Sequence, residues 1–333
     1  MTVSVAMCTY NGELYLKKQL DSILNQTHPV YEIIICDDGS TDNTIEIIND
    51  YCSKNQFIKL FQNETNLQSV KNFEKSMQLC TGDIIFLSDQ DDMWIPEKVE
   101  TIIDFFNQNP NQMAVATNGF CCDKKGDIHE KYAIWDALNF LDALQITYNL
   151  HDVISCVANI ATGATMAFRA EIRSECVPIP IVEGFHHDEW IARLTSYKNQ
   201  FSYINQKLIM YRIHSLQQVG GVFYDKTEKV KNDFIELFDI NNDQLCFRNY
   251  KKKLKRLSYT IVLNKQLLLE SDKKHQKMLE KNCDLIYDLY KSTKTQMKLK
   301  YPVQAFIISI SDKILNKRQL YYTKANFKNI VQP

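Results

Sequence analysis

The chain has 333 residues, a hydrophobic content of 45% and a formal net charge of −1 at pH 7. This length suits one large domain or a domain with an appendage, and the apolar content can fill a substantial core. The 10 cysteines and 7 histidines lack zinc-ligand spacing, so we expect no zinc site. No segment reaches the roughly 18 apolar residues of a membrane-spanning helix. We also expect no nucleic-acid partner.

The charges divide the chain into an acidic front and a basic tail. Residues 251–333 carry 19 Lys and Arg and 6 Asp and Glu, whereas residues 1–250 carry 20 and 34. A basic, amphipathic tail that cannot span a bilayer favours peripheral attachment to an anionic membrane face. A solvated helical face, or a contact with the acidic front, is the alternative. The scattered cysteines and the absence of a signal-peptide pattern in residues 1–10 predict a cytoplasmic location.

The first 120 residues alternate between strand and helix patterns. The apolar runs predict five strands, at 3–7, 32–36, 57–61, 83–87 and 113–117. Helical spacing and helix-start signals predict helices between them, at 14–26, 44–51, 69–79 and 97–107. This alternation predicts an α/β fold with a single doubly wound, mostly parallel sheet flanked by helices.

The pattern changes after Gly119. We expect a loop and a helix over 120–150, a strand at 160–168, a helix at 186–198 and an edge strand at 201–213. From about residue 226 the pattern is helical and rich in lysine.

Residues 84–92, with the sequence IIFLSDQDD, are an apolar strand that ends in Asp89, Asp91 and Asp92. Three carboxylates in a cleft need a countercharge to be ionised together. Hard oxygen ligands at this spacing suit Mg²⁺ or Mn²⁺, which also bind phosphate oxygens. In open α/β sheets, ligands bind beyond the carboxyl ends of the strands. The alternative is a polar turn before a helix that starts at Pro96.

Two more polar clusters follow the first and second predicted strands. Thr9, Tyr10 and Asn11 lie in the segment CTYNG, where donors can hold a base or ribose. Asp38, in the segment CDDGSTDNT, can accept hydrogen bonds from a ribose or a base imide. The alternatives are an ordinary Asn-Gly turn and helix capping by Thr41 or Asp42.

A fourth cluster, HHDEW, starts a predicted helix at His186. Its two histidines and two carboxylates form an unusual density of titratable groups, and a helix N-terminus stabilises an anionic carboxylate. The alternative is that Asp188 only caps the helix. Together, the four clusters suggest a nucleotide held by the first two, a diphosphate held by metal at the third and a general base at the fourth.

The ordered motifs CTYNG, CDDGSTDNT, SDQDDMW, ATGATMAF, HHDEW and YRIHSLQQVGG resemble the large inverting glycosyltransferase family with the GT-A fold. Within it, the branch of rhamnosyltransferases is the most similar. The resemblance covers roughly residues 1–222. We therefore expect a nucleotide-sugar-binding catalytic domain at 1–222 and a basic helical region at 223–333 that contacts the acceptor or a membrane.

The resemblance implies a role for each candidate residue. Nucleotide-binding residues would be Thr9, Tyr10, Asn11, Asp38, Lys71 and Asp89. Metal ligands would be Asp91, Asp89 and His214, with Gln90 at the middle position of the Asp-x-Asp motif. The catalytic base would be Asp188. Further candidates are Asp92, Glu189, Trp190 and Arg212. Glu189 stands where the branch often has an aromatic residue, so Glu189 is an alternative base. The pair Gly220-Gly221 could let a lid loop move.

The resemblance implies transfer of a sugar, rhamnose or a hexose, from a dTDP- or UDP-linked donor. The acceptor would be a hydroxyl of a growing, lipid-linked bacterial surface polysaccharide such as O-antigen or capsule. Two other functions stay open. A non-catalytic nucleotide-sugar-binding protein would keep the same binding clusters. A metal-dependent phosphohydrolase would need its Asp-x-Asp motif on the leading strand, whereas here the motif follows the fourth.

Overall fold

The structure, a computed structural model, describes residues 1–215, 217 and 222–314. The Gly220-Gly221 pair and the last part of the basic tail, residues 315–333, lie outside the described residues. The chain divides into two compact units, each of which packs mainly within itself. Unit 1 contains Met1–Asn139, Ile160–Ile179 and His186–Lys231, and unit 2 contains the remaining stretches, Phe140–Asn159, Pro180–Phe185 and the chain from Asn232.

The strands all belong to unit 1. In chain order they are β1 (Val3–Thr9), β2 (Glu32–Asp37), β3 (Ile58–Gln62), β4 (Ile84–Ser88), β5 (Met93–Trp94), β6 (Ala114–Cys122), β7 (Ile128–His129), β8 (Lys131–Ala133), β9 (Met166–Arg169), β10 (Phe201–Arg212) and β11 (Phe223–Asp225).

The helices surround this sheet in unit 1 and form most of unit 2. In chain order they are α1 (Leu16–Leu24), α2 (Thr44–Lys54), α3 (Gln68–Leu79), α4 (Lys98–Gln108), α5 (Asp136–Ala143), α6 (Leu150–Asp152), α7 (Arg173–Cys176), α8 (His187–Tyr197), α9 (Glu228–Phe238), α10 (Phe247–Glu270), α11 (Lys273–Lys300) and α12 (Pro302–Ile314).

The main sheet has the strand order β3-β2-β1-β4-β9-β6-β10-β5. Strand β1 pairs in parallel with β2 and with β4, whereas β9 runs antiparallel to both β4 and β6. Every residue of β2 and β4 is buried, as expected for strands covered on both faces by helices. Because β1, β2 and β4 are parallel and adjacent, their carboxyl ends bring three polar loops to one edge.

The predicted α/β class and the mostly parallel sheet are confirmed. Three local predictions were wrong. The strand predicted at 160–168 is only Met166–Arg169, because Gly163–Thr165 forms a tight helical turn before it. The segment 120–150 also holds the short strands β7 and β8. The predicted edge strand, β10, lies between β6 and the two-residue strand β5, which covers only Ile209 and Met210.

Unit 2 has its own core between the long helices α10 and α11. Tyr250, Leu254 and Leu257 of α10 belong to the same buried cluster as Ile286 and Tyr290 of α11. The predicted helical character of the chain beyond residue 226 is thus present up to Ile314. Within residues 1–215 and 222–314, no helix is long and apolar enough to cross a membrane.

Glu32 begins β2 at the amino end of the sheet, away from the polar loops. Its Oε1 accepts hydrogen bonds from Ser4 Oγ at 2.8 Å and from Thr81 N at 2.6 Å, and its Oε2 accepts from Lys59 Nζ at 3.0 Å. Burial alone raises the pKa of Glu32, but the hydrogen bonds from Thr81, Lys59 and Ser4 outweigh burial and lower it. Its carboxylate therefore stabilises the folded sheet.

We predict that Glu32→Gln destabilises the protein by about 1–3 kcal/mol at pH 7, because a charged acceptor of several hydrogen bonds is lost. Since the folded pKa is lowered, this stability is present above the unfolded pKa and is lost as the pH falls through the folded pKa. Urea unfolding of both proteins at pH 7 and near pH 3 measures the difference, which should shrink in acid. Asp50→Asn, in an exposed ion pair with Lys54, is the control. An equal difference at both pH values would contradict the prediction.

Candidate active site

The loop after β2 is organised by Asp37, which the sequence reading did not select. Its Oδ1 accepts a hydrogen bond from Thr9 Oγ1 at 2.8 Å, and its Oδ2 accepts from Ser40 N at 2.9 Å and Gly39 N at 3.1 Å. Gly39 has φ +85°, a conformation that favours glycine. Thr9, a predicted nucleotide-binding residue, is buried, and its hydroxyl donates its hydrogen bond to Asp37.

Tyr10 and Asn11 extend from the end of β1. Tyr10 is 45% exposed, so it is accessible to a ligand. Asn11 has φ 49°, and its Oδ1 accepts a hydrogen bond from Thr41 N at 2.8 Å. Gln90, at the middle position of the Asp-x-Asp motif, forms two hydrogen bonds with the backbone of Tyr10. Gln90 Oε1 accepts from Tyr10 N at 2.8 Å, and Gln90 Nε2 donates to Tyr10 O at 2.9 Å. Gln90 thus joins the β1 loop to the β4 loop.

The Asp38 carboxylate holds the loop between β3 and α3. Oδ1 accepts hydrogen bonds from Asn63 Nδ2 at 2.8 Å and Leu67 N at 2.7 Å, and Oδ2 accepts from Gln68 N at 2.8 Å. Asp38 is only 4% exposed. The sequence predicts Asp38 only as a ligand contact. Its contacts show that it also shapes the chain that leads into α3.

Lys71, on α3, is partly buried. Its Nζ donates hydrogen bonds to Glu74 Oε2 at 2.8 Å and to the carbonyl oxygen of Ile179 at 3.1 Å. Glu74 Oε2 also accepts from Ile179 N at 2.6 Å. In this arrangement Lys71 is part of a small ion-paired junction between α3 and the chain near residue 179.

The Asp-x-Asp loop places three carboxylates close together at the end of β4. Burial, Asp91 and Asp188 raise the pKa of Asp89 to about 7, and Lys98 opposes them. Burial, Asp91 and Asp89 also raise the pKa of Asp92 well above its usual range. The pKa values rise because charged carboxylates repel one another where water is excluded. A cation bound here would lower them.

Arg212 at the end of β10, and His214 just after it, contact the Asp-x-Asp loop. His214 Nε2 lies 2.8 Å from Asp91 Oδ2. Arg212 is fully buried, and its Nε donates to the carbonyl oxygen of Asp91 at 2.7 Å. The backbone N of Arg212 donates to Asp92 Oδ1 at 2.9 Å, and its guanidinium lies over the Tyr15 ring at 4.7 Å. Arg212 therefore holds the Asp-x-Asp loop in position, and His214 contacts Asp91, the carboxylate expected to bind metal.

Lys98, at the start of α4, is a fully buried cation that sequence reasoning missed. Its Nζ donates to the carbonyl oxygen of Ala164 at 2.6 Å and lies 4.1 Å from the centroid of the Trp94 ring. Burial lowers the pKa of Lys98 to about 7, while Asp92 and Asp89 act in the opposite direction. Lys98 is thus a countercharge of the acidic loop. It also links that loop to the turn at Gly163–Thr165.

Asp188 lies in the first turn of α8 and faces the turn at Gly163–Thr165. Its Oδ2 accepts a hydrogen bond from Gly163 N at 2.7 Å, and its Oδ1 accepts from Glu189 N at 2.6 Å. Burial raises the pKa of Asp188 to about 6, although His186 and the two backbone donors oppose the change. A Cβ atom at position 163 would lie 3.0 Å from His187 Nε2, so the close approach of this turn to α8 suits glycine.

The other two candidates on α8 have structural contacts. Glu189 Oε1 accepts hydrogen bonds from Arg193 Nε at 2.9 Å and Nη2 at 2.6 Å, one turn further along the helix. Trp190 is fully buried, and its Nε1 donates to the carbonyl oxygen of Cys176 at 2.9 Å. The residue before the helix is His186, so Asp188 is not its N-cap.

The acidic loop offers carboxylate oxygens, which are suitable ligands for a divalent cation. In the described part of the chain, no three His, Cys, Asp or Glu side chains converge as a metal site. Mg²⁺ is commonly bound by one or two carboxylates together with substrate phosphates. Asp89 and Asp91, at the end of β4, fit such an incomplete site, in which a diphosphate supplies the remaining oxygens.

The structure therefore brings Asp89, Asp91, Asp92 and His214 together, with Asp188 close enough to affect the pKa of Asp89. Lys71 binds Glu74 and Ile179, and Glu189 binds Arg193. Sequence reasoning missed Lys98, Gly163 and the bridging role of Gln90. The only available signal for Lys98 was its position two residues after Pro96, which also suits a solvated first helical turn.

We predict that Lys98→Met and Asp92→Asn are coupled. Each single change leaves the other buried polar group with less compensation, so each should destabilise the protein by about 1–3 kcal/mol. The double variant removes both members of the pair, so its loss should be smaller than the sum of the two, by about 1–3 kcal/mol. Urea unfolding of the four proteins measures the coupling free energy. Strict additivity would contradict the assignment of Lys98 as a countercharge.

Comparisons with known sequences find a family and several relatives. Residues 4–169 match the family model described as Glycosyl transferase family 2. An uncharacterized glycosyltransferase of Haemophilus influenzae is 34% identical over 143 residues, 43% of this chain and 57% of that relative. A second one from that organism is 26% identical over 335 residues, 95% of each chain. The putative teichuronic acid biosynthesis glycosyltransferase TuaG of Bacillus subtilis is 33% identical over 103 residues, 31% of this chain and 41% of that relative.

Solved structures support the fold. TarS 1–349 of S. aureus in complex with UDP-GlcNAc has a TM-score of 0.53 at 15% identity, covering 89% of this chain and 84% of that one. The mannosyltransferase PcManGT of Pyrobaculum calidifontis, in complex with GDP-Man and Mn²⁺, has a TM-score of 0.50 at 13% identity, covering 94% and 75%. The family match, the shared GT-A-type fold and the acidic loop at the sheet edge agree: residues 4–169 of this chain belong to glycosyl transferase family 2.

Proposed function

We propose that this protein is an inverting glycosyltransferase. It transfers rhamnose or a hexose from a dTDP- or UDP-linked donor to a hydroxyl of a lipid-linked saccharide. The product is a bacterial surface polysaccharide such as O-antigen or capsule, made at the inner face of the cell membrane. The observation that carries the proposal is a buried carboxylate, Asp188, that is held by two backbone donors and lies within electrostatic reach of the Asp-x-Asp loop.

The donor nucleotide binds at the carboxyl ends of β1 and β2. The exposed Tyr10 side chain offers a surface for the base; Thr9 ends β1 directly before it, and Asn11 follows it in the loop. Asp38 keeps the following loop in place through Leu67 and Gln68 and can still accept a further hydrogen bond from the nucleoside. The UDP-GlcNAc complex of TarS supports a uridine nucleotide, whereas the rhamnosyltransferase resemblance supports dTDP.

The diphosphate lies against the Asp-x-Asp loop. Asp91 and Asp89, with His214 beside Asp91, would hold a Mg²⁺ or Mn²⁺ ion, which would neutralise the charge gained by the leaving diphosphate. Mn²⁺ in the PcManGT complex supports this cation class. The protein residues do the rest. Arg212 positions the Asp91 backbone, Gln90 holds the β1 loop against the β4 loop, and buried Lys98 compensates the acidic charges.

Asp188 is the proposed general base. An acceptor hydroxyl attacks poorly unless its proton is removed in the transition state. With a pKa of about 6, Asp188 is mostly ionised at pH 7 and remains basic enough to accept a proton. Its hydrogen bonds from Gly163 N and Glu189 N orient the carboxylate. The acceptor oxygen forms a bond to the anomeric carbon as the bond to the diphosphate breaks, so one displacement inverts the configuration.

Glu189 is the less suitable base. Its Oε1 accepts two hydrogen bonds from the Arg193 guanidinium, one turn further along the helix. An acceptor hydroxyl would have to displace this guanidinium before it could reach that oxygen. We therefore assign the proton transfer to Asp188 and a structural role to Glu189.

We predict that Asp188→Asn lowers kcat for sugar transfer by about 10²–10⁴-fold, the usual contribution of a general base. Binding of the nucleotide should change little, because the amide oxygen of the substituted side chain can still accept a hydrogen bond from Gly163 N. Release of UDP or dTDP from each sugar nucleotide, with a polyprenyl-diphosphate-linked saccharide as acceptor, measures turnover. Proton NMR of the product measures the anomeric configuration.

Glu189→Gln is the matched control, and its kcat should fall by much less. Full turnover by Asp188→Asn would contradict the assignment of the base. A wild-type protein that binds sugar nucleotides without turnover would instead support the non-catalytic alternative. Phosphate release without sugar transfer would support a phosphohydrolase.

A further inference from the structure

Helix α12 of unit 2 has apolar side chains on two opposite faces. Ala305 and Ile308 pack with the buried cluster between α10 and α11. Val303, Phe306 and Ile307 are exposed, at 66%, 66% and 58%. At 3.6 residues per turn, positions 303, 306 and 307 lie on one side of the helix, and 305 and 308 lie on the other. We call Val303, Phe306 and Ile307 the outer face of α12.

An amphipathic surface helix normally presents polar residues to water, and a helix that is apolar all round is normally buried. The outer face does not present polar residues to water, because its three side chains form one continuous apolar patch. Single exposed apolar residues are common on proteins, but a contiguous patch marks an interaction site. The outer face therefore needs an apolar environment beyond the buried cluster of unit 2.

The charge around the outer face indicates the partner. Lys298 and Lys300 precede α12, and residues 298–333 contain 7 Lys and Arg and 1 acidic residue, Asp312. A positively charged segment that flanks an apolar patch suits a surface that is anionic and apolar at once. The headgroup region of an anionic bilayer has both properties.

The small size of the patch favours a lipid surface over a folded protein partner. A stable protein interface usually buries about 800 Å² on each partner, with 20–30 residues a side. Three side chains of one helix cannot supply that area. An interfacial helix, in contrast, inserts its apolar side chains only about 5–10 Å into the bilayer and gains the rest of its affinity from basic residues.

We propose that the outer face of α12 inserts into the headgroup region of an anionic membrane, with Lys298 and Lys300 against the phosphates. This inference rests on the proposed function, since a lipid-linked acceptor lies in such a membrane. It adds the contact surface: Phe306 and Ile307 enter the lipid, and the basic residues determine the preference for anionic headgroups.

The chain offers a matched control in Leu269. This residue, near the end of α10, is 83% exposed, more than any member of the outer face. Its acidic neighbours Glu270 and Asp272 are balanced by Lys273 and Lys274, so residues 269–274 carry no net positive charge to attract an anionic membrane. Leu269→Ser therefore removes exposed apolar area without removing the proposed contact.

The experiment is co-flotation of the full chain with vesicles of phosphatidylcholine, with or without phosphatidylglycerol. We expect the wild type and Leu269→Ser to float with the anionic vesicles, and much less with the neutral ones. The double variant Phe306→Ser/Ile307→Ser should partition at least about tenfold more weakly, because two large apolar side chains are lost from the lipid. Added salt should weaken binding of the wild type.

Equal flotation of the wild type and the double variant would overturn the proposal, as would a wild type that binds no vesicle. A wild type that sediments as a dimer, with a monomeric double variant, would identify the outer face as a contact between copies and would also overturn it. Turnover on a soluble saccharide acceptor should be the same in the wild type and the double variant. Flotation does not depend on turnover, so failure of the transferase proposal and failure of this one are distinguishable.

Discussion

Repulsion among buried carboxylates is the constraint on which the site depends. Burial raises the pKa values of Asp89 and Asp92, and repulsion adds to this effect: from Asp91 and Asp188 at Asp89, and from Asp91 and Asp89 at Asp92. Lys98 opposes this charge, and Arg212 and His214 contact the same loop. What remains is a local excess of negative charge at the sheet edge. A divalent cation and a diphosphate together match it, because the cation binds carboxylates and phosphate oxygens at once.

The loops around this charge are held by residues that do not need to touch a ligand. Asp37 closes the turn after β2, Gln90 joins the loops after β1 and β4, and Arg212 holds the backbone of Asp91. Lys98 connects the acidic loop to the turn that orients Asp188. Such supporting contacts keep reactive groups in position without reorganisation during the reaction, which is where preorganised sites gain most of their rate.

Sequence reasoning predicted the parallel sheet and the acidic loop because both depend on local patterns. The run Ile84–Leu87 predicts a buried strand by itself, and the carboxylates follow it directly. Lys98 could not be predicted, since its burial arises from a contact with Ala164, 66 residues away. The same holds for Gln90, whose partner Tyr10 lies 80 residues before it. Strand β5 has two residues and exists only through its pairing with β10, so it has no periodicity of its own.

The most direct test of the central claim is calorimetric titration of Mn²⁺ into the full chain, alone and with saturating UDP or dTDP. If the protein provides only part of the metal site, one of the two nucleotides should raise the affinity for Mn²⁺ at least about tenfold, a coupling of roughly 1.4 kcal/mol or more. Asp91→Ala should abolish this coupling. Equal Mn²⁺ affinity with and without both nucleotides, or coupling that survives in Asp91→Ala, would contradict the account.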